Sequence, residues 1–230
     1  MKYMIHACNQ RMWYVDNFLM PSLIKQGINK DDIYVYLDKD RDGNLKSYIK
    51  SSKLVYEMWG DNENVWHLQD DVIVCSNFKE RTEELEAREV DIICGFTCFY
   101  DDGRKPGLNF PKDHMWYSFP CMRVPSKISK EFADWTDTYL WRDNQFGFWT
   151  RYKKGDDYVF RIWVESYYPY FKVLNLAPNL IDHVDFLLGG TIVNPQREAQ
   201  SVDVRSMYFD EKWLVDELAE EIKKYDTDNR

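Results

Sequence analysis

No stretch of this chain is apolar for long enough to cross a bilayer, and the apolar part of Met1-Lys2-Tyr3-Met4-Ile5-His6 is too short for a signal peptide. The chain therefore reads as a cytoplasmic protein that does not insert into membranes. Cysteine is scarce: Cys8, Cys75, Cys94, Cys98 and Cys121 form an odd set, mostly within apolar, strand-like stretches. That pattern speaks for buried thiols and against a disulfide framework. Cys94 and Cys98 have no second Cys/His pair at finger-like spacing, so no structural zinc is expected. Positive charge is in deficit, 30 Lys and Arg against 39 Asp and Glu, and the net charge of −9 disfavours non-specific binding to nucleic-acid phosphates. Glycine-rich phosphate loops are missing too. Residues 8–11 hold no glycine, which counts against a nucleotidyltransferase, and no P-loop Lys-Ser/Thr follows Gly189-Gly190. With neither repeats nor a low-complexity linker, the 230 residues suit one domain, 1–230.

Aromatics are abundant at 17%, and most must fill a core because their side chains bury large areas. Arg142, Arg151, Lys153 and Lys154 lie among Trp141, Phe146, Phe148, Trp149 and Tyr152, either as a solvated face over an aromatic core or as an acceptor surface.

Three acidic signatures carry the most information: Trp66-His67-Leu68-Gln69-Asp70-Asp71-Val72, Gly155-Asp156-Asp157 and Asp182-His183-Val184-Asp185. Asp31-Asp32 and Asp101-Asp102-Gly103 read as turns, where Asp is favoured. Asp70-Asp71 differs, because apolar residues flank it and no Gly or Pro marks a turn. Two adjacent carboxylates where a strand leaves a sheet repel each other unless a cation or a basic group compensates them. A hard divalent ion carried by a diphosphate would do so, since Mg²⁺ and Mn²⁺ favour oxygen ligands. The second signature offers a general base, and His183 a third protein ligand. Such a set meets the needs of sugar transfer from a nucleotide-sugar.

The hydrophobic pattern predicts strands over residues 2–7, 32–37, 65–68, 91–99, 116–124 and 173–176. It predicts helices over residues 14–26, 43–53, 78–88, 130–140, 157–167 and 210–225, with Pro21 bending or dividing the first. Residues 101–113, with Gly103, Pro106, Gly107 and Pro111, read as a loop suited to closing over a site. The first half thus alternates strand and helix, as in a parallel sheet with crossover helices.

With these pieces placed, the chain resembles glycosyltransferases of the GT-A fold, and more closely the small ones encoded by bacteriophages. The resemblance is carried by Ile5-His6-Ala7, Arg11-Met12-Trp13-Tyr14-Val15, the Asp70-Asp71 segment, Trp116-Tyr117-Ser118-Phe119-Pro120-Cys121, Gly155-Asp156-Asp157 and Ala177-Pro178-Asn179-Leu180-Ile181-Asp182-His183-Val184-Asp185. It implies an α/β domain with a mostly parallel, Rossmann-like sheet flanked by helices. The nucleotide-binding part would span about residues 1–100, the acceptor and catalytic part about 101–195, and a terminal helix about 210–225. It further implies a nucleoside-diphosphate sugar as donor, UDP-sugar foremost, held by His6, Arg11, Asp38 and Gln69. Mn²⁺ or Mg²⁺ would be bound by Asp71 or Asp70 with His183, the usual Asp-x-Asp being Gln69-Asp70-Asp71 here. Asp157, with Asp156 as alternative, would be the base of an inverting transfer, and Trp116 and Tyr117 would meet the acceptor. The acceptor would be a hydroxymethylated base in phage DNA, or a protein or glycan. A nucleotidyltransferase and a binding module without catalysis are the competing readings.

Overall fold

The computed structural model describes residues 1–40, 44–97, 107–109, 120–140, 156–189 and 208–228. Strand β1 (Lys2–Cys8) alternates cleanly, with Tyr3, Ile5 and Ala7 toward one face of the sheet and Met4 and His6 toward the other. One 3₁₀ turn, Asn9–Arg11, leads into helix α1, residues 12–25. This helix stays continuous through Pro21. A π-type turn over Val15–Leu19 precedes the proline and takes up the chain where the missing N–H would otherwise break the ladder.

There follow β2 (Ile33–Asp38), α2 (Asn44–Trp59), β3 (Asn64–Gln69), β4 (Val72–Val74), α3 (Phe78–Glu86) and β5 (Ile92–Cys94). Then come β6 (Gly107–Asn109), β7 (Cys121–Pro125), α4 (Ser126–Trp135), a π-type turn over Thr136–Leu140, and α5 (Asp156–Tyr167). Strands β8 (Val173–Asn175) and β9 (Ile181–His183) and helix α6 (Lys212–Asp228) complete the described chain.

Among the described residues, seven strands form one sheet in the order β2-β1-β3-β7-β5-β8-β6. Strands β1, β2, β3, β5 and β8 run one way and only β7 and β6 oppose them, so the sheet is mostly parallel, as expected. Helix α1 packs on the Tyr3-Ile5-Ala7 face together with α6, through Val15, Leu19, Leu23, Val215 and Leu218. On the opposite face lie α2, α4 and α5, through Tyr48, Phe132, Val159, Phe160 and Trp163. Each of these fully buried large side chains contributes about 1.5–3 kcal/mol relative to exposure.

The connections decide where a ligand can bind. From β1 the chain crosses by α1 to β2 on one side, then by α2 to β3 on the other side of β1. The two crossovers use opposite faces, so the strand order reverses between β1 and β3. In open α/β sheets the crevice outside the carboxyl ends at such a point is where ligands bind.

Several local expectations change. The helix predicted over 43–53 runs on to Trp59, and the strand predicted over 116–124 is described only as Cys121–Pro125. Within the predicted loop 101–113, residues Gly107–Asn109 form edge strand β6 against β8, and the rest of that loop lies outside the described residues. Strands β4 and β9 pair antiparallel as a separate two-stranded ribbon, which the sequence pattern does not announce.

Candidate functional site

At the carboxyl end of β1 the 3₁₀ turn drives Arg11 inward, where it is buried. Strand β3 ends at Gln69, whose N–H still pairs with the Pro120 carbonyl. The chain then turns at Asp70-Asp71 and re-enters as β4. Both carboxylates are buried at the switch point, each 6% exposed. Asp70 Oδ2 accepts the Cys8 backbone N–H at 2.8 Å, and its Oδ1 lies 3.1 Å from Arg11 Nη1. The same Nη1 donates to Asp71 Oδ2. Tyr14 fixes the turn from beneath, donating its hydroxyl to the Val72 carbonyl at 2.9 Å.

His183 arrives on β9, opposite Val72, and the Val184 N–H donates to the Asp71 carbonyl at 2.8 Å. The segment before β9 is held rigidly. Leu180 bridges the Gly95 carbonyl and the Cys75 N–H, and the Asn179 side chain pairs with both backbone groups of Thr97. Arg81 donates to the carbonyls of Pro178 and Asn179. Gly95 is required there, because a Cβ would come within 2.5 Å of Cys121 Sγ.

The imidazole of His183 is bracketed by carboxylates. Its Nε2 lies 3.2 Å from Asp71 Oδ1 and its Nδ1 3.2 Å from Asp185 Oδ1. Burial pushes the imidazole pKa down, but Asp71 and Asp185 outweigh it and raise the value to about 10. Burial pushes Asp71 up, yet His183 and Arg11 prevail and hold it below the ordinary carboxylate range. Burial and the Asp71 charge leave Asp70 raised despite Arg11.

These opposite shifts set the pH dependence of stability. The folded-state pKa of His183 is raised above 6.5, so its contribution is complete below that value and lost as pH climbs through about 10. The Asp71 contribution is present above 3.8 and lost only in acid below it. Chelator-treated protein should therefore lose urea stability between pH 6.5 and 10, and His183→Gln should lose much less over the same window. Parallel curves for the two proteins would show that His183 carries no charge.

The structure thus brings Arg11, Asp70, Asp71 and His183 into one cluster, and sets Asp38 and Gln69 at the carboxyl ends of the strands on either side of β1. Asp38 is the strand partner of Cys8, and Gln69 that of His6. His6 turns to the α2 face instead. Its Nε2 lies 2.9 Å from His67 Nδ1, its Nδ1 is 3.2 Å from Ser51 Oγ, and Tyr48 stacks on its ring. Burial lowers the pKa of both imidazoles and holds them neutral. Asp156 opens α5 and Asp157 stands half-buried in its first turn, on the layer shared with α2 and α4, where a helix N-terminus favours a carboxylate. Trp116, Tyr117 and residues 141–155 lie outside the described residues. Asp185 belongs to the third signature but has no role in the sequence reading; its offset of two from His183 was the available signal.

The donor set suits a divalent ion. Two donors at right angles, each about 2.1 Å from an ion, lie about 3 Å apart, close to the Asp71 Oδ1 to His183 Nε2 separation of 3.2 Å. Asp71 Oδ1 is buried and faces the His183 ring, while its Oδ2 takes the Arg11 guanidinium. Asp185, 3.2 Å from the far ring nitrogen, stands where the outer partner of a ligating imidazole would stand. Among the described residues no group of three or more His, Cys, Asp or Glu converges as a metal cage, so phosphate and water would complete the coordination, as Mg²⁺ commonly requires. A cavity of about 730 Å³ lies elsewhere, between α1, α3 and α6, lined by Phe18, Lys79 and Trp213 and holding none of the four clustered side chains.

No protein-family model matches the chain, and no curated protein matches it in sequence. Among solved structures it is similar to A197 from STIV, with 12% identity over 80% of this chain and 85% of that one at a TM-score of 0.46. It is also similar to a glycosyltransferase involved in the glycosylation of the major capsid of PBCV-1, with 14% identity, 89% and 90% coverage and a TM-score of 0.45. A third is a putative glucose-1-phosphate thymidylyltransferase from Bacillus anthracis in complex with a sucrose, with 10% identity, 88% and 96% coverage and a TM-score of 0.43. These likenesses are partial. The functional reading rests on the side chains.

Proposed function

We propose that this protein is a metal-dependent glycosyltransferase that moves a sugar from a nucleoside-diphosphate sugar to an acceptor hydroxyl with inversion. The observation that carries the reading is the buried Asp71–His183–Asp185 series at the β1/β3 switch point, with Arg11 beside it. Asp38 and Gln69, at the carboxyl ends of the two strands that flank β1, are the groups for the ribose and base. Asp71 and His183 would hold Mn²⁺ or Mg²⁺, while Asp70, engaged by the Cys8 N–H and Arg11, positions the turn. When bound, the ion stabilises charge developing on the departing nucleoside diphosphate. Asp157 accepts the proton of the acceptor hydroxyl as it attacks the anomeric carbon. His6 braces the end of β1 against α2 through His67 and Ser51.

The test is a panel of nucleoside-diphosphate sugars, UDP-sugars first, with Mn²⁺ and candidate acceptors: hydroxymethylated DNA, proteins and glycans. Metal-dependent release of the nucleoside diphosphate from one donor is the expected result. Pyrophosphate release from a nucleoside triphosphate and a sugar phosphate would assign nucleotidyl transfer instead. Ligand binding indifferent to chelator, without turnover, would mark a non-catalytic module.

A further inference from the structure

Arg11 occupies an unusual position for a residue expected to serve the donor. Its side chain is 7% exposed, and a single nitrogen, Nη1, meets oxygens of both Asp70 and Asp71. Neither carboxylate depends on it for placement. Asp70 keeps the Cys8 N–H on its other oxygen, and Asp71 keeps His183 on its other oxygen and the Val184 N–H on its carbonyl. The guanidinium therefore supplies charge more than position. It does so from a single 3₁₀ turn at the carboxyl end of β1, beside the switch point. A divalent ion entering between Asp71 and His183 meets this positive group at close range, and like charges in a buried setting repel strongly. A diphosphate removes the obstacle, because a guanidinium pairs with phosphate oxygens as readily as with carboxylates.

We propose that Arg11 is the placeholder for the divalent cation: it neutralises Asp70-Asp71 in the empty site and moves to the donor diphosphate when ion and nucleotide arrive together. This inference rests on the metal-dependent reading above. It makes ion and nucleotide bind as a coupled pair, with each raising the affinity of the other by the same factor.

The experiment is calorimetric titration of chelator-treated protein with Mn²⁺, alone and with saturating UDP. In the wild type, Mn²⁺ alone should bind weakly, and UDP should tighten it by about 5- to 150-fold, the usual range of such coupling. In Arg11→Met, Mn²⁺ alone should bind more tightly than in the wild type, and the tightening by UDP should shrink toward none. Mn²⁺ alone should also raise the Tm of this variant more than that of the wild type. Arg11→Lys, which keeps a charge, should restore weak binding of the ion alone. If Arg11→Met does not fold without the ion, Asp70→Asn is compared with Asp70→Asn carrying Arg11→Met, and the same reversal is expected. Unchanged or weaker binding of Mn²⁺ alone, with the UDP effect intact, overturns the placeholder role and leaves the metal site standing. A wild type that binds no Mn²⁺ with or without UDP overturns the metal-dependent reading itself, and the placeholder with it.

Discussion

Asp71→Asn should reduce Mn²⁺-dependent binding of UDP to the level seen with chelator. The substitution keeps the shape of the side chain and its hydrogen-bonding capacity but removes the charge that faces both Arg11 and His183. Titration calorimetry with Mn²⁺ and UDP measures the loss directly, and affinity equal to that of the wild type would falsify the assignment of Asp71 as the ligand. Two companions grade the effect. His183→Ala should weaken the same binding less, since one donor of several is lost. Asp185→Asn should cost about 10- to 100-fold, the usual loss when the outer partner of a ligating histidine is removed. Stability separates Asn from Ala at position 71. Asp71→Ala removes one of the two carboxylates that face the buried Arg11 and one of the two that face the buried His183, and breaking a buried pair costs about 3–5 kcal/mol. Urea unfolding should register that cost for Ala, and a smaller one for Asn.

Asp157→Asn should lower turnover by about 10²- to 10⁴-fold, the usual contribution of a general base, with donor affinity near that of the wild type. Asp157 stands in the first turn of α5, on the layer opposite α1, whereas the Asp71–His183 pair hangs from the β4–β9 ribbon. An amide cannot take the acceptor's proton at neutral pH, so the chemical step suffers and the donor does not notice. Full turnover in the variant would remove Asp157 from the reaction, and rate loss confined to Asp156→Asn would move the base by one residue. Direct displacement assisted by one base also requires inversion. A product whose anomeric coupling constant shows the donor's configuration retained would give Asp157 another task.

The β1–β3 half of the sheet is legible in the sequence because β1 alternates, β3 is a short apolar run and the flanking helices carry apolar stripes. Residues 2–7 and 65–68 lie within β1 and β3, and Asp70-Asp71 does sit where a strand leaves the sheet. What sequence could not show is burial. A strand end does not say what covers such a pair; here His183 of the β4–β9 ribbon lies against Asp71, and the Cys8 N–H and Arg11 lie against Asp70. Each strand of that ribbon is three residues long, too short for any periodicity to register. Gly107-Leu108-Asn109 has no β-branched residue and sits among turn signals, so it reads as loop; only the hydrogen bonds offered by β8 make it a strand. His6 was equally ambiguous. Its place on β1 is evident from sequence, but which face it takes, and that His67 and Ser51 meet it there, depends on the packing of α2. Arg11 as the neighbour of two carboxylates about sixty residues away has no local signature at all.

The contact between α1 and α6 has a consequence for how the chain reaches this state. Trp13 stacks on Tyr225 with ring centroids 5.5 Å apart, and Phe18 meets the same ring edge-on. Asn17, one turn along α1, also reaches the Tyr225 hydroxyl, across 208 residues of sequence. At ribosomal speeds of about 5–20 residues per second, those partners are synthesised roughly 10–40 s apart. Throughout that interval the outer face of the helix that follows Arg11 lacks its cover, and Trp13 and Phe18 are open to nascent chains and chaperones alike. The turn that carries Arg11 is thus braced by a helix made long after it, and the nascent chain must keep an aromatic surface soluble until α6 reaches α1.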